Sequence, residues 1–255
     1  MFKFLKLYKN QIVSTTQKKF PDWDVTIALR YLPIVDGIAK LGLKKPSILE
    51  VGPGESGILP YLPSQLGITG VDVDFGNHKS SRMRQVKVSG KKLPFANSSF
   101  DIVVSVDTLE HVPPVDRASA VTEMVRVANK RLYLAYPAGS FAVFCDRFLD
   151  KYFRLRNNNQ SFPYLSEHLD LGLPVHTKVL ADINKALKQF NKKGDVLVSP
   201  NTNFLIWLKL LLLGYSQVGF LTSIYILTLW LLPILRHINI PPTYRQLIEV
   251  RFSNE

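Results

Sequence analysis

Apolar residues in the first half of the chain come in short dense runs bounded by turn residues, a length that suits strands better than helices. The runs are SILEV from Ser47, GITGVDVD from Gly67, QVKV from Gln85, FDIVVSVD from Phe100 and RLYLAYP from Arg131. IVVSV and LYLAY are continuous rather than alternating, as expected of central strands covered on both faces. Helical spacing runs from Val25 to Leu41, with Pro33 as the expected break and Gly42 as the stop, and again over Asp116 to Val127 and His176 to Phe190. Strands alternating with helix or turn segments predict an α/β fold on a mostly parallel sheet with helices on both faces. VLVS (196–199) and YRQLIEVRF (244–252) add two later strands.

Two segments depart from this rhythm. The first twenty residues set Phe2, Phe4, Leu5, Leu7 and Tyr8 among Lys3, Lys6 and Lys9, with no unbroken apolar run and no small-residue cleavage site. A terminal helix packed on the domain is expected there before a membrane-surface element, and a secretory signal is not. The second segment, Leu210 to Leu235, holds no charged residue. It meets the roughly twenty apolar residues of a membrane span. Lys209, Ser216 and Ser223 nevertheless fall at heptad spacing beside Gln217 and Thr222, forming a polar stripe. If the strands on either side belong in one sheet, the segment must return to the side it left. One or two helices covering a pocket and touching a membrane surface come first, burial within the domain second and a full span last. Trp207, Tyr215, Tyr225 and Trp230 suit an interface and a hydrophobic pocket equally.

Composition narrows the classes. The 255 residues contain 32 Lys and Arg against 20 Asp and Glu, a formal +12, while charged residues make up only 20% and apolar ones 46%. That apolar content excludes a disordered chain. The charge attracts any anion, whether nucleic acid, anionic lipid or acidic cofactor. A lone Cys145 excludes a disulfide scaffold and a Cys-rich zinc module, and points to the cytoplasm, with the cytoplasmic face of a membrane within reach.

The candidate chemistry lies at strand ends. In EVGPGESG, Glu50 to Gly57, the chain must turn sharply off a strand and open a helix, and Gly52 and Gly54 permit positive φ and close approach of a ligand. No GK[ST] follows, so this is no P-loop, and Pro53 departs from the dinucleotide fingerprint. About twenty residues on, GVDVD ends a strand, and Asp72 there is placed to accept both hydrogen bonds of a ribose diol, although an Asp at such a point also caps helices.

These motifs, with KKLPFANSSFDIVVSVDTLEHV and AVTEMVRVANKRLYLAYP, resemble the class I S-adenosylmethionine-dependent methyltransferases, particularly the small-molecule branch related to ubiquinone and menaquinone biosynthesis. The resemblance is strong over 45–137 and weak beyond. It implies a Rossmann-like, seven-stranded sheet with S-adenosyl-L-methionine across the C-terminal ends of the first strands. Glu50, Gly52 and Gly54 would border the methionine part, Asp72 would bind the ribose and the loop before LPF would meet adenine. Relatives often place a carboxylate in that loop; here the span is VSGKK, and Ser89 is the nearest replacement. Asp107 to His111 would lie near the sulfonium and the acceptor.

Methyl transfer from a sulfonium needs alignment and exclusion of water, and no metal. A base is needed only if the acceptor loses a proton. His111 and His168 are the candidates, each weighed against a histidine that merely packs or caps a loop. Glu110 is expected to accept backbone bonds in its loop, and Glu123 to pair with Arg126 or Arg131 structurally, with Arg117 doing likewise on its helix. The expected organisation is one methyltransferase domain: a helical lead-in (1–44), a cofactor-binding core (45–137), a substrate-side region (138–199), an apolar helical insert (200–242) and a final strand (243–255). The expected acceptor is a small or amphiphilic, perhaps lipid-linked, molecule, with oxygen ahead of carbon. RNA or other nucleic-acid methylation is the nearest alternative, disfavoured by the lack of an NPPY-like motif after the fourth strand. A non-catalytic nucleoside-binding protein is the alternative of another class, and a nicotinamide-dependent oxidoreductase ranks third.

Overall fold

The computed structural model describes residues 2–77, 80–214, 216 and 218–253. Seven strands, β1 (Ile48–Val51), β2 (Ile68–Asp72), β3 (Met83–Lys87), β4 (Phe100–Val106), β5 (Ala128–Pro137), β6 (Gly194–Asn203) and β7 (Thr243–Phe252), form one sheet in the order β3-β2-β1-β4-β5-β7-β6. All neighbours pair in parallel except β7, which is antiparallel to both β5 and β6. The order reverses between β1 and β4. The C-terminal ends of β1, β2 and β4 therefore open onto the crevice where α/β sheets bind ligands.

Successive strand residues face opposite layers, as a period of two requires. Ile48, Ile102 and Val104 join the first core with α2 (Val25–Lys40), while Leu49 and Val103 join the second with α3 (Arg117–Val127) and α6 (His176–Gln189). A third cluster lies over one end of the sheet, where Cys145 and Leu149 of α4 (Gly139–Arg156), Leu165 of α5 (Pro163–Leu171) and Trp207 of α7 (Phe204–Gly214) meet Tyr244. The expected layers with helices on both faces are present.

Three local expectations change. Pro33 does not break α2, which runs through it to Lys40; a proline inside a helix costs about 3 kcal/mol, and here the neighbouring Leu29, Leu32 and Ile34 are all buried in the first core. Asp24 starts this helix by accepting the Thr26 and Ile27 N–H groups at 2.8 and 3.0 Å. The glycine loop does not open an α-helix either. The connection to β2 holds a 3-10 turn at Leu59–Tyr61, interrupted by Pro60 and Pro63. Arg82 instead donates to the carbonyls of Leu62, Pro63 and Leu66, satisfying backbone that a helix would have paired internally. Finally, β6 continues to Asn203, so the insert begins at Phe204 rather than at residue 200. Asn201 and Asn203 pair with Arg245 and Thr243 of β7, and the Asn203 amide also donates to the Ile240 carbonyl at 2.8 Å.

The insert folds as α7, α8 (Gly219–Leu227), a 3-10 turn (Thr228–Leu231) and α9 (Leu232–Leu235). No helix among the described residues is long and apolar enough to cross a membrane. Leu210, Leu229 and Leu232 enter the first core. The Ser216, Thr222 and Ser223 hydroxyls bond back to carbonyls of Leu213, Val218 and Gly219, so that part of the polar stripe is satisfied locally. Gln217 and Tyr215 lie outside the described residues. The N-terminal helix α1 (Phe2–Lys19) packs against the insert: Trp230 donates to Thr16 Oγ1 at 2.8 Å, and Lys19 sits 4.1 Å from the Trp230 ring centre. The side chains of the first ten residues, including Phe2 to Tyr8, lie outside the described set.

Candidate active site

β1 ends at Val51, and Gly52 turns the chain with φ +77 while its N–H bonds the Val71 carbonyl at 2.8 Å. A Cβ at Gly52 would lie 2.3 Å from Thr108, so only glycine lets the loops after β1 and β4 touch. Gly54 donates its N–H to Asp72 Oδ2 at 2.8 Å, and Asp74 N–H reaches Oδ1 at 3.2 Å. Each Asp72 oxygen keeps a lone pair beyond these bonds, which is what a ribose diol requires. A Cβ at Gly54 would meet no described atom within 4 Å, so the loop is open on that side. Ser89 sits in the turn after β3, where its carbonyl accepts the Lys92 N–H at 3.3 Å, and Gly90 lets this turn approach Val51. The donors, the open loop and the strand-end carboxylate fit S-adenosylmethionine.

Glu50 has a different surrounding. It is completely buried, and the Ile58 N–H donates to its two oxygens at 2.9 and 3.2 Å. Gly57, at φ +51, leaves room for that carboxylate; a Cβ there would lie 2.1 Å from it. Glu50 thus braces the glycine loop from beneath. Burial raises its carboxyl from 4.5 to about 7, against the lowering effect of the Ile58 N–H. A folded-state value above the unfolded one contributes stability that is full below pH 4.5 and lost as pH rises through about 7. Wild type should therefore lose up to ~3 kcal/mol of unfolding free energy over that window. Glu50→Gln should flatten the dependence; equal slopes for the two proteins in urea titrations at pH 5 and pH 8 would reject this role.

Asp107 follows β4 with φ +51 and lies between two guanidiniums, Arg30 Nη1 on Oδ2 and Arg245 Nε on Oδ1, both at 2.6 Å. Burial alone would raise its carboxyl; Arg245 and then Arg30 overturn that and hold it below the usual carboxylate value. Neither arginine stood out in the sequence. Arg30 could have been noticed as a single cation inside the apolar run TIALRYLPIV, and Arg245 as the residue spoiling the alternation of the last strand.

His111 and His168, far apart in sequence, come together. Their Nε2 atoms are 3.4 Å apart, His111 Nδ1 lies 2.6 Å from Glu167 and His168 Nδ1 3.0 Å from Asp146. Burial lowers the His111 imidazole despite the opposing Glu167. Of the backbone bonds expected for Glu110, only the approach of its own N–H is present. It is fully buried, neither carboxylate oxygen has a hydrogen-bond partner among the described residues, and Oε1 lies 3.9 Å from His168 Nε2. Burial and the nearby Asp107 push its carboxyl well above the ordinary value. Arg117 forms no charge pair on a helix surface; it is buried, donating to the carbonyls of Val112, Glu110 and Gly172. Glu123 does pair with Arg126, at 2.7 Å, and accepts the Leu93 N–H, a structural role.

A cavity of about 270 Å³ adjoins Asp107. Glu110, His111 and His168 lie on its polar side, with Arg30 and Arg245, while Phe153, Phe162, Tyr164, Leu165, Trp207 and Leu211 supply apolar wall. Trp207 and Leu211 come from α7, so the apolar insert reaches the pocket as expected.

Comparison with known proteins agrees with the fold. A family model described as a methyltransferase domain matches residues 49–135. No curated protein sequence matches the chain. Among solved structures, the plantazolicin methyltransferase BpumL, in complex with a triazolic desmethylPZN analog and SAH, is 13% identical with a TM-score of 0.54, covering 96% of this chain and 91% of its own. A chain from the complex of the Haloferax volcanii Trm112 methyltransferase activator with its assigned methyltransferase is 11% identical, TM-score 0.51, covering 89% and 90%. A protein assigned as a methyltransferase from an antibiotic biosynthesis pathway of Anabaena variabilis is 16% identical, TM-score 0.50, covering 86% and 98%. At such identities the structures speak for the fold, and the family match over β1 to β5 adds the class. Over residues 49–135 the chain carries a methyltransferase domain, set in the class I fold, and it is an S-adenosylmethionine-dependent enzyme. Its cofactor is S-adenosyl-L-methionine.

Proposed function

We propose that the chain methylates a small or amphiphilic acceptor, at oxygen before carbon, in the cavity beside Asp107. The observation that carries this reading is the cavity itself: mostly apolar walls from α4, α5 and α7, with two imidazoles on the polar side next to the loop that ends β4. When bound, S-adenosylmethionine supplies a methyl group on positively charged sulfur. Gly52 and Gly54 form its cradle, Asp72 accepts from its ribose, Ser89 lies at the adenine end, and Asp107 fixes the loop at the reacting end. Glu50 acts through the loop it braces and is a positioning residue. The cavity would hold the acceptor oxygen in line with that methyl group, which the cofactor would give up with the bonding pair kept by its sulfur. His168 and His111, oriented through Nδ1 by Asp146 and Glu167, present Nε2 to take the acceptor's proton. The aromatic walls exclude water.

The test uses methyl-labelled cofactor with lipid, soluble and nucleic-acid extracts. Label is expected in a lipid or soluble product; label mainly in RNA would overturn the acceptor reading. Asp72→Ala should bind cofactor roughly 30-fold more weakly, the loss of about 2 kcal/mol of charge-assisted hydrogen bonding, as read by equilibrium dialysis.

The insert also leaves Leu205, Leu212, Phe220, Trp230, Leu231 and Ile234 exposed, with Lys209 exposed on the same α7. This supports contact with an anionic membrane surface, through which an amphiphilic acceptor would enter under α7. In flotation on anionic vesicles, the full chain should partition and a Phe220→Asp/Leu231→Asp/Ile234→Asp variant should not. Equal partitioning removes the membrane role.

A further inference from the structure

The polar side of the cavity has an imbalance that the base role leaves unresolved. A carboxylate only accepts, so Glu167 and Asp146 place the imidazole protons of His111 and His168 on Nδ1. The two Nε2 atoms then face each other as lone pairs 3.4 Å apart. Glu110 adds a third ligand group: it is 0% exposed, neither oxygen has a hydrogen-bond partner among the described residues, and the nearer one is 3.9 Å from His168 Nε2. Arg30 and Arg245, the guanidiniums of this cavity, bond Asp107; Arg30 Nε and Arg245 Nη1 are left without a partner among the described residues, and neither is hydrogen-bonded to Glu110 or to the imidazoles.

One cation satisfies all three. We propose that Glu110, His111 and His168 bind a first-row divalent metal ion at the acceptor cavity. Their ligand atoms all lie within 4.8 Å of one another. Two imidazole nitrogens each about 2.1 Å from a metal, at a tetrahedral angle, lie about 3.4 Å apart, the separation found here. Glu110 completes the set with a small side-chain movement. The outer layer is that of a metal site as well: each ligating imidazole gives its other N–H to a carboxylate, and Asp146 is itself fixed by the Tyr244 hydroxyl. Two imidazoles and one carboxylate suit zinc, iron or manganese, and leave coordination positions open towards the cavity. With the metal bound, the two Nε2 atoms are ligands and no longer bases, and an acceptor hydroxyl on the metal would instead lose its proton to solvent more readily and be held for attack; this last role rests on the acceptor reading above, whereas the metal site does not.

The test is binding of zinc alone. Untagged full-length protein, stripped with a chelator, is titrated with Zn²⁺ and its bound metal measured by elemental analysis after gel filtration. One ion per chain is expected. His168→Ala and His111→Ala should each weaken binding at least a hundredfold, Glu110→Gln at least tenfold, and Asp146→Asn about 10- to 100-fold, as loss of an outer partner does. His111 is the more exposed of the two histidines, so its variant keeps the test open if His168→Ala fails to fold. Asp72→Ala should bind cofactor more weakly and keep zinc, which separates failure of the metal site from failure of the methyltransferase reading. No stoichiometric zinc in wild type, or equal binding by the histidine variants, overturns the proposal.

Discussion

Gly52→Ala should reduce methyl transfer roughly a hundredfold and lower the unfolding free energy by about 3 kcal/mol. Two independent terms add. The residue sits at φ +77, where a side chain is strained by about 1–3 kcal/mol. The new methyl would also lie 2.3 Å from both Thr108 Oγ1 and Cγ2 and 2.8 Å from Thr108 Cβ, so rotating the threonine side chain does not clear it. The turn must move, and with it the Thr108 hydroxyl that donates to the Val51 carbonyl at 3.2 Å and the adjoining Asp107. That displacement falls where cofactor and acceptor are to be aligned, and a shift of about 1 Å there is worth two orders of magnitude in rate. Chemical denaturation and single-turnover transfer read the two parts separately. A Gly52→Ala protein with wild-type turnover would show that the loops after β1 and β4 do not need this contact. Gly54→Ala is the control: its φ of +56 strains the backbone, but its Cβ would meet open space, so only the strain term applies.

The sequence made the sheet and its cofactor edge legible because both depend on local pattern. Dense runs such as IVVSV mark strands buried on both faces, and the carboxylate of Asp72 within GVDVD marks the end of the second one. The connection after the glycine loop was misread because a helix-length gap is only a length; Pro60 and Pro63 removed the donors a helix needs there. Pro33 was misread in the opposite sense, since a single residue's penalty was outweighed by the burial of its neighbours on α2. The insert was placed correctly between the last two strands, yet its start slipped because Asn201 and Asn203, polar and unlike a strand, are held by β7 and by the loop before it. The acceptor side was least legible. His111 and His168 could be named singly, but nothing in their spacing put their Nε2 atoms 3.4 Å apart, or turned Glu110 from a loop-binding residue into an unpaired buried carboxylate. Those relations arise where α5 folds over the loop after β4, with Arg117 reaching from that loop's following helix to the carbonyl of Gly172.

Arg245→Leu should lower the unfolding free energy by ~3 kcal/mol, the lower end of the range for breaking a buried ion pair because Arg30 still holds the other Asp107 oxygen. Arg245 is 3% exposed, and its guanidinium packs near the stacked rings of Tyr244 and Trp207, with centres 4.7 and 5.6 Å away. Leucine keeps much of the apolar contact and removes the charge, so the loss reports on Asp107. The carboxylate would then face the fully buried Glu110 with one cation fewer. Asp107 is held below the ordinary carboxylate value, so its stabilisation is present above the unfolded value and lost as pH falls through the folded one. The penalty of Arg245→Leu should accordingly be full near neutrality and shrink in acid. In a chain of this size, ~3 kcal/mol corresponds to a fall in melting temperature of roughly 6–12 °C. A double variant with Asp107→Asn should recover part of it, because the carboxylate that lost its partner is gone, and a coupling energy above ~1 kcal/mol is expected from the cycle. A loss below ~1 kcal/mol near neutrality, or strict additivity in the cycle, would mean that Arg30 alone fixes the loop at the end of β4 and that Arg245 faces the cavity for its acceptor instead.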